Sequence, residues 1–318
     1  MEKILEVKDL NVMFESKGIK TYAVNGISFD VYEDESLGIV GESGSGKSVT
    51  AKSVINLLPK NAKISGEVMY KNDNLLSMTK NNLRDIRGDE ISMIFQDPMT
   101  SLNPLFTIRT QMKRLIKIHR KNLTNKEIEE ISIRYLDMVG IPNPDKRINS
   151  YPHEFSGGMR QRVMIAMSLC LHPSLIIADE PTTALDVTIQ AQVLNLLNII
   201  KEDYKTSTIL ITHDLGVVAN TCEKIIVMYG GRIMEMGAVD DIFKNPKHPY
   251  TKGLLQSLPV IGSNKRLESI EGNPPVIHEK LVGCPFYDRC KYRMDKCNKF
   301  DPEGVTFDNN HKVYCHLY

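Results

Sequence analysis

Several absences narrow the field. No apolar run in the 318-residue chain approaches the roughly 18–20 residues of a bilayer-spanning helix. The first six residues, Met1-Glu2-Lys3-Ile4-Leu5-Glu6, lack the basic, apolar and small-residue regions of a secretory leader, so none is expected and a cytoplasmic chain is. Neither sign of charge is in excess: Lys plus Arg is 40, Asp plus Glu is 39, and the net charge is +1. That balance gives no broad electrostatic footprint for nucleic acid. There is no internal repeat and no C-x-x-C pair. What remains is a composition of 42% hydrophobic and 25% charged residues, typical of a folded globular protein with one large or two moderate domains.

The most informative stretch runs from Leu37 to Lys52. Apolar Leu37, Ile39 and Val40 lead into Gly41-Glu42-Ser43-Gly44-Ser45-Gly46, which leaves through Lys47-Ser48 into a helix-compatible segment. This is G-x-x-x-x-G-K-S, the phosphate-binding loop between a strand and a helix. Glycines let the backbone curl so that N–H groups point at an anion, and the helix N-terminus adds its positive dipole end. Lys47 is expected on the β- and γ-phosphates and the Ser48 hydroxyl on Mg²⁺. Gly41, Ser43, Gly44, Ser45, Gly46, Lys47, Ser48 and Val49 are the candidate contacts to a nucleoside triphosphate. Upstream, Phe14 and Tyr22 are both candidates to stack on its base, against the plainer role of strand aromatics in a core.

Around the loop, short alternating segments (Ile4–Val7, Ile27–Tyr32, Ile64–Tyr70) read as antiparallel strands. Ile91 to Gln96 is a further strand, stopped by Asp97-Pro98. From Ile108 to Val139 the pattern is helical, with Met112, Leu115, Ile116, Ile118, Ile128, Ile131, Tyr135 and Leu136 apolar. Prolines 142, 144 and 152 end it, so it reads as a helical subdomain inserted in an α/β core. A helix opens at Phe155-Ser156-Gly157-Gly158 and runs to about Leu171. Ser174 to Glu180 is a continuously apolar strand closed by two carboxylates, the pattern of a buried parallel strand. A helix over Val187–Ile200 and strands over Ser207–Thr212 and Lys224–Tyr229 complete an α/β alternation. Beyond Leu258 periodicity weakens. Residues 1–258 are therefore assigned to a nucleotide-binding domain, with its helical subdomain at about 97–158, and residues 259–318 to a Cys-rich C-terminal extension.

Ligands of parallel α/β sheets bind at the carboxyl ends of strands, which is where four polar residues fall. Asp179 suits the Mg²⁺ shell. Glu180 suits the base or orienting group that holds the attacking water. His213 is a candidate for the γ-phosphate or the water, and Gln96 for bridging metal, water and a movable segment. Ser156-Gly157-Gly158 forms a second helix N-terminus fit for an anion. One such site is redundant beside the phosphate loop, so it either caps a helix or completes the site of another subunit.

In this order the motifs resemble the ATP-binding cassette (ABC) ATPases: the loop Gly41–Ser48, Gln96, the signature Ser156-Gly157-Gly158-Met159-Arg160-Gln161, Asp179-Glu180, the Ala184-Leu185-Asp186 turn and His213. The resemblance covers about residues 4 to 255. It implies an ABC-type P-loop fold with an antiparallel β subdomain and a helical subdomain, a nucleotide contact from Asp186, and two subunits sandwiching two ATP molecules head to tail. Met159 stands where the family commonly has Gln. Phe95–Pro104, Phe155–Ala166 and His248-Pro249-Tyr250-Thr251 are similar to the ATPases of oligopeptide and dipeptide importers. Nickel and glutathione importers share much of this pattern. That likeness implies a second ATP-binding subunit, identical or related, two transmembrane permease subunits, an extracytoplasmic peptide-binding protein acting indirectly, no nucleic acid, and a peripheral place on the cytoplasmic face of the membrane. A soluble cassette ATPase of DNA or ribosomes is the reading from another class, but the chain has no room for a long coiled coil and has one cassette.

Cys284, Cys290, Cys297 and Cys315 cluster near the end of the chain. Disulfides are not expected in a cytoplasmic chain, and four thiolates in a loop-rich segment suit a [4Fe–4S] cluster or tetrahedral Zn²⁺. The subfamily resemblance extends to Gly283-Cys284-Pro285-Phe286 and implies the iron–sulfur cluster for some members. Cys170 and Cys222 are expected to be packing residues.

Overall fold

The computed structural model describes residues 2–182, 187–258 and 270–318. Two compact units emerge: one from Met1–Ser77 with Leu210–Tyr318, the other from Met78–Ile209.

The first unit begins with β1 (Lys3–Ser16) and β2 (Ile19–Tyr32), an antiparallel hairpin. Its two-residue turn, Lys17-Gly18, has φ of 51° and 80°, the left-handed pair that matches the twist of the strands. Ile27, Phe29 and Val31 of β2 are buried between more exposed neighbours, as the alternation predicts. Next come β3 (Ser36–Val40), buried along its whole length, and α1 (Lys47–Val54). Then β4 (Ala62–Tyr70) pairs antiparallel with the other edge of β1 and with the short β5 (Asp73–Asn74), giving the order β2-β1-β4-β5.

The second unit holds α2 (Lys80–Ile86), β6 (Ile91–Ile94), α3 (Pro98–Ser101), α4 (Ile108–His119), α5 (Asn125–Met138), α6 (Pro144–Arg147), α7 (Gly157–Leu169), β7 (Leu175–Asp179) and α8 (Val187–Tyr204). β6 and β7 run parallel, Ile91 opposite Leu175, and both are wholly buried. The long helical pattern read from Ile108 to Val139 is two helices. Thr124 breaks it: its Oγ1 accepts the Glu127 N–H at 3.3 Å, while the Thr124 N–H donates to Glu127 Oε2 at 2.7 Å. T-x-x-E is a capping box, and it starts a second helix here. Ile108, Met112 and Ile116 of α4 and Ile128, Tyr135 and Leu136 of α5 are buried, but Ile118 is 48% exposed, off the apolar stripe assigned to it.

β8 (Ser207–Ile211) carries the chain back to the first unit, followed by α9 (Leu215–Thr221), β9 (Lys224–Tyr229), β10 (Arg232–Ala238), α10 (Val239–Lys244), α11 (Pro249–Gln256), β11 (Gly304–Thr306) and β12 (Lys312–Tyr314). β9 pairs parallel with β3 and antiparallel with β10, and β12 then joins β10 and β11. The last residues of the chain thus complete a sheet of this unit. They are fastened there by a buried pair, His311 Nε2 to Glu235 Oε1 at 2.7 Å. Glu235 also accepts the backbone N–H groups of Lys247 and His248 at 2.7 and 2.9 Å, so its buried carboxylate is compensated. No helix among the described residues is long and apolar enough to cross a membrane.

The two helix features predict different costs. Replacing buried Met112 with Ala should destabilise by about 3 kcal/mol through a cavity. Thr124→Ala should cost about 1 kcal/mol, the loss of a cap. Denaturant midpoints at constant slope measure both; equal effects would mean that the α4 core does not hold the unit together.

Candidate nucleotide-binding site

β3 delivers the chain into the phosphate loop at Gly41, where φ is 152° and a Cβ would stand 2.2 Å from the Met228 carbonyl oxygen. At Gly46, φ is 98° and a Cβ would stand 2.5 Å from the Ala23 carbonyl oxygen. Backbone approach this close, at such angles, admits only glycine. Gly46 is also the N-cap of α1 and offers no side chain to its first N–H groups, which leaves the dipole end to an anion. The Lys47 ammonium is buried and donates to the Gly41 and Glu42 carbonyls at 2.7 and 2.9 Å, with Ser45 Oγ at 3.4 Å. Ser43 and Gly44 are exposed, and Ser48 and Val49 are half-buried on α1.

Two residues that carried no assigned role in the sequence hold this loop. Tyr250, fully buried on α11, accepts the Glu42 N–H on its hydroxyl at 2.9 Å. Arg289 donates to Glu42 Oε2 at 2.7 Å and to the Tyr229 hydroxyl at 3.1 Å. Burial raises the Tyr250 hydroxyl well above its ordinary pKa, so it stays a neutral phenol. His248-Pro249-Tyr250-Thr251 was the available signal for Tyr250; Arg289 had none.

His213 is exposed and directly follows Thr212, whose N–H donates to the Ile39 carbonyl at 3.3 Å. Asp214 then caps α9 by accepting the Gly216 and Val217 N–H groups. Phe14 lies on β1 opposite Thr21 and Ala62. Tyr22 lies opposite Met13, and its N–H donates to the Ile277 carbonyl at 2.8 Å. Tyr22 also lines a cleft of about 660 Å³ with Lys63, Arg232, Lys280 and Tyr314, to which no phosphate-loop residue contributes.

In the second unit Gln96 Nε2 donates to Glu180 Oε2 at 2.9 Å, joining two of the residues picked from strand ends. Asp179 is buried at the end of β7. Glu180 then turns to φ 47°, a left-handed conformation that costs a non-glycine residue on the order of 1 kcal/mol. The N-cap of α7 is Ser156, whose side chain accepts the Met159 N–H at 3.3 Å. Ser156 and Gly157 are exposed, and a Cβ on Gly157 would meet nothing within 4 Å. Gln161 of the same motif is buried and donates to the Pro181 carbonyl at 2.7 Å, so it joins α7 to the segment after the carboxylates. Asp186 and its turn lie outside the described residues.

Cys284, Cys290, Cys297 and Cys315 line one cavity of about 20 Å³ together with Met294 and His248. Burial pushes the Cys284 thiol up to about 12, and the other three thiols push the same way. Burial likewise raises Cys290 and Cys315. Among the described residues there is no group of three or more His, Cys, Asp or Glu side chains that could hold a metal ion. The donor chemistry of four cysteines around one cavity suits a thiolate-bound metal. Cys170 is buried, its thiol pushed up to about 12 by burial, as a packing residue should be.

The family model for ABC transporters matches residues 24–183, and that for the oligopeptide/dipeptide transporter C-terminal region matches residues 234–297. The chain belongs to the ABC transporter family. It is 48% identical, over 100% of its own length and 95% of the relative's, to the dipeptide transport ATP-binding protein DppD of Bacillus subtilis. To the oligopeptide transport ATP-binding protein OppD of Salmonella typhimurium it is 49% identical over 94% and 89%. Among solved structures, the ATP-binding cassette MJ0796, a dimer in a post-hydrolysis state bound to ADP and Pi, aligns with 74% of this chain and 98% of its own at a TM-score of 0.66 and 28% identity. CbiO1 of Clostridium perfringens, part of the cbiONQ transporter complex, aligns over 77% and 92% at 0.64 and 26%.

Loop geometry makes a graded prediction. Gly41→Ala should abolish nucleotide binding, because the new methyl drives into the Met228 carbonyl. Gly44, at φ 79° with open space around it, should tolerate Ala at a cost of roughly 1 kcal/mol. Titration with a fluorescent ATP analogue compares the two; equal affinities would remove the close approach as the reason for Gly41.

Proposed function

We propose that this ABC protein is the ATP-hydrolysing subunit of a dipeptide or oligopeptide importer. The observation that carries the reading is the near-full-length likeness to peptide transport ATP-binding proteins, joined to a phosphate loop with its glycines, lysine and serine in place. Residues 1–258 serve as the nucleotide-binding domain and 259–318 as the extension typical of the subfamily.

In this reading the loop N–H groups and Lys47 bind the phosphates of Mg-ATP, and Ser48 and Asp179 hold Mg²⁺, which neutralises charge building on the γ-phosphate. Phe14 or Tyr22 stacks on the adenine. Glu180 holds the attacking water as base or orienting group, His213 contacts the γ-phosphate or that water, and Gln96 bridges metal, water and a movable segment. The Gln96–Glu180 hydrogen bond supports a coupling between these two residues. The exposed, open N-terminus of α7 supports a role outside its own subunit: Ser156, Gly157 and Gly158 clamp the γ-phosphate held by a second ATP-binding subunit, to which Asp186 also contributes. That the cassette in the structural comparison is a dimer supports pairing with a second ATP-binding subunit. The helical subdomain transmits closure to two permease subunits, with the ATPase peripheral on the cytoplasmic face. The four cysteines are the candidate ligands of the iron–sulfur cluster or Zn²⁺ seen as an option in the sequence. Their shared cavity is the support. An anaerobically purified chain without visible absorption and without bound zinc would end that part of the reading.

Glu180→Gln should keep ATP affinity, lower turnover by roughly 10²–10⁴-fold, and accumulate an ATP-bound dimer on size exclusion. Gly157→Ala should leave stability unchanged within about 0.5 kcal/mol yet cut turnover, because the methyl occupies the face offered to the other subunit. Undiminished turnover in either variant would defeat the role given to that residue.

A further inference from the structure

The phosphate loop carries one acidic side chain, Glu42, in a segment whose purpose is to hold a polyanion. That charge opposes the ligand unless it is neutralised. Its carboxylate meets the Arg289 guanidinium at 2.7 Å, with the two side chains 22% and 8% exposed. Arg289 comes from the C-terminal region, between Cys284 and Cys290, and the guanidinium is held on four sides. Its Nε donates to the Glu271 carbonyl at 2.8 Å and its Nη2 to the Ile270 carbonyl at 3.0 Å. Its Nη1 is shared by Tyr229 and Glu42. The cation also lies 5.6 Å from the Tyr229 ring centre and 5.9 Å from that of Phe286, within range of cation–π attraction. A planar fork fixed by so many acceptors gives Glu42 one direction in which to point.

We infer that Arg289 is a positioning residue for nucleotide binding: it cancels the Glu42 charge and draws that carboxylate away from the phosphates, so that the C-terminal segment latches the phosphate loop. The latch rests on the reading of the loop as a nucleotide site. Tyr250 acts beside it by accepting the Glu42 N–H, which fixes the backbone of the same residue while Arg289 fixes its side chain.

The purified full-length chain is titrated with a fluorescent ATP analogue and Mg²⁺. Arg289→Met should weaken binding by about tenfold, the loss expected for a charge-assisted contact, and more steeply at low ionic strength, where an exposed Glu42 repels the phosphates over a longer range. Arg289→Gln keeps hydrogen bonding to the carbonyls and should show the same loss; it replaces the Met variant if that one does not fold. Adding Glu42→Gln to either variant should return affinity to within about twofold of wild type, because the repulsion goes with the charge. Folded Arg289 variants that bind as tightly as wild type would overturn the latch, as would a double variant that stays as weak as the single. A wild-type chain that fails to bind the analogue would instead overturn the nucleotide reading on which the latch stands.

Discussion

A backbone that wraps an anion must present its N–H groups inward, and several features of the first unit hold Gly41 to Ser48 in a tight curl. The curl requires φ angles of 152° at Gly41, 79° at Gly44 and 98° at Gly46, and it requires neighbours that leave no room for relaxation. Those neighbours are the Met228 carbonyl on β9 and the Ala23 carbonyl on β2. The parallel pairing of β3 with β9, Val40 opposite Val227, therefore does more than extend a sheet. It sets the wall against which the loop turns. Lys47 completes the construction, since a buried ammonium must find acceptors and the loop's own carbonyls supply them.

The second unit solves a different problem, the placement of carboxylates at strand ends. A buried strand such as β7 cannot tolerate unpaired charge inside it, so charge appears where the strand stops: Asp179 at its end, Glu180 just beyond. The chain turns at Glu180 to a left-handed angle, φ 47°, as it leaves the strand. Gln161 ties α7 to the Pro181 carbonyl, which links the segment after the acids to the helix whose tip carries Ser156 and Gly157. The helix that starts at Ser156 and the segment that follows Asp179 and Glu180 are thus joined directly.

How much of this was legible in the sequence depended on how local the cause was. The phosphate loop and the acid pair were legible because their chemistry demands particular residues at fixed spacing. The strands β6, β7 and β9 were legible as short apolar runs. The division between α4 and α5 was not read, although T-x-x-E at Thr124 and Glu127 encodes it, because a continuous apolar period masked the cap. The C-terminal region read as lacking periodicity for a physical reason: β11 and β12 are three residues each, too short for alternation to show, and their order comes from long-range contacts such as His311 with Glu235. Arg289 was invisible for the same reason, since it lies 247 positions along the chain from Glu42.

The C-terminal region is more than an appendage, and its aromatic packing shows why. Tyr229, Tyr250 and Phe286 form a triangle with ring centres 4.7 Å apart for the tyrosine pair and 5.3 Å from each tyrosine to Phe286. One ring comes from a strand bordering the phosphate loop, one from α11, and one from the segment beside Cys284. Aromatic contacts at these separations stabilise beyond the area they bury, and here they bring two hydrogen-bonding groups, the Tyr250 hydroxyl and the Arg289 guanidinium, onto a single loop residue. A loop rich in glycine loses more entropy on ordering than any other kind of segment. Fixing the Glu42 backbone through the Tyr250 hydroxyl removes part of that freedom, so less of the energy of binding an anion is spent on ordering the loop.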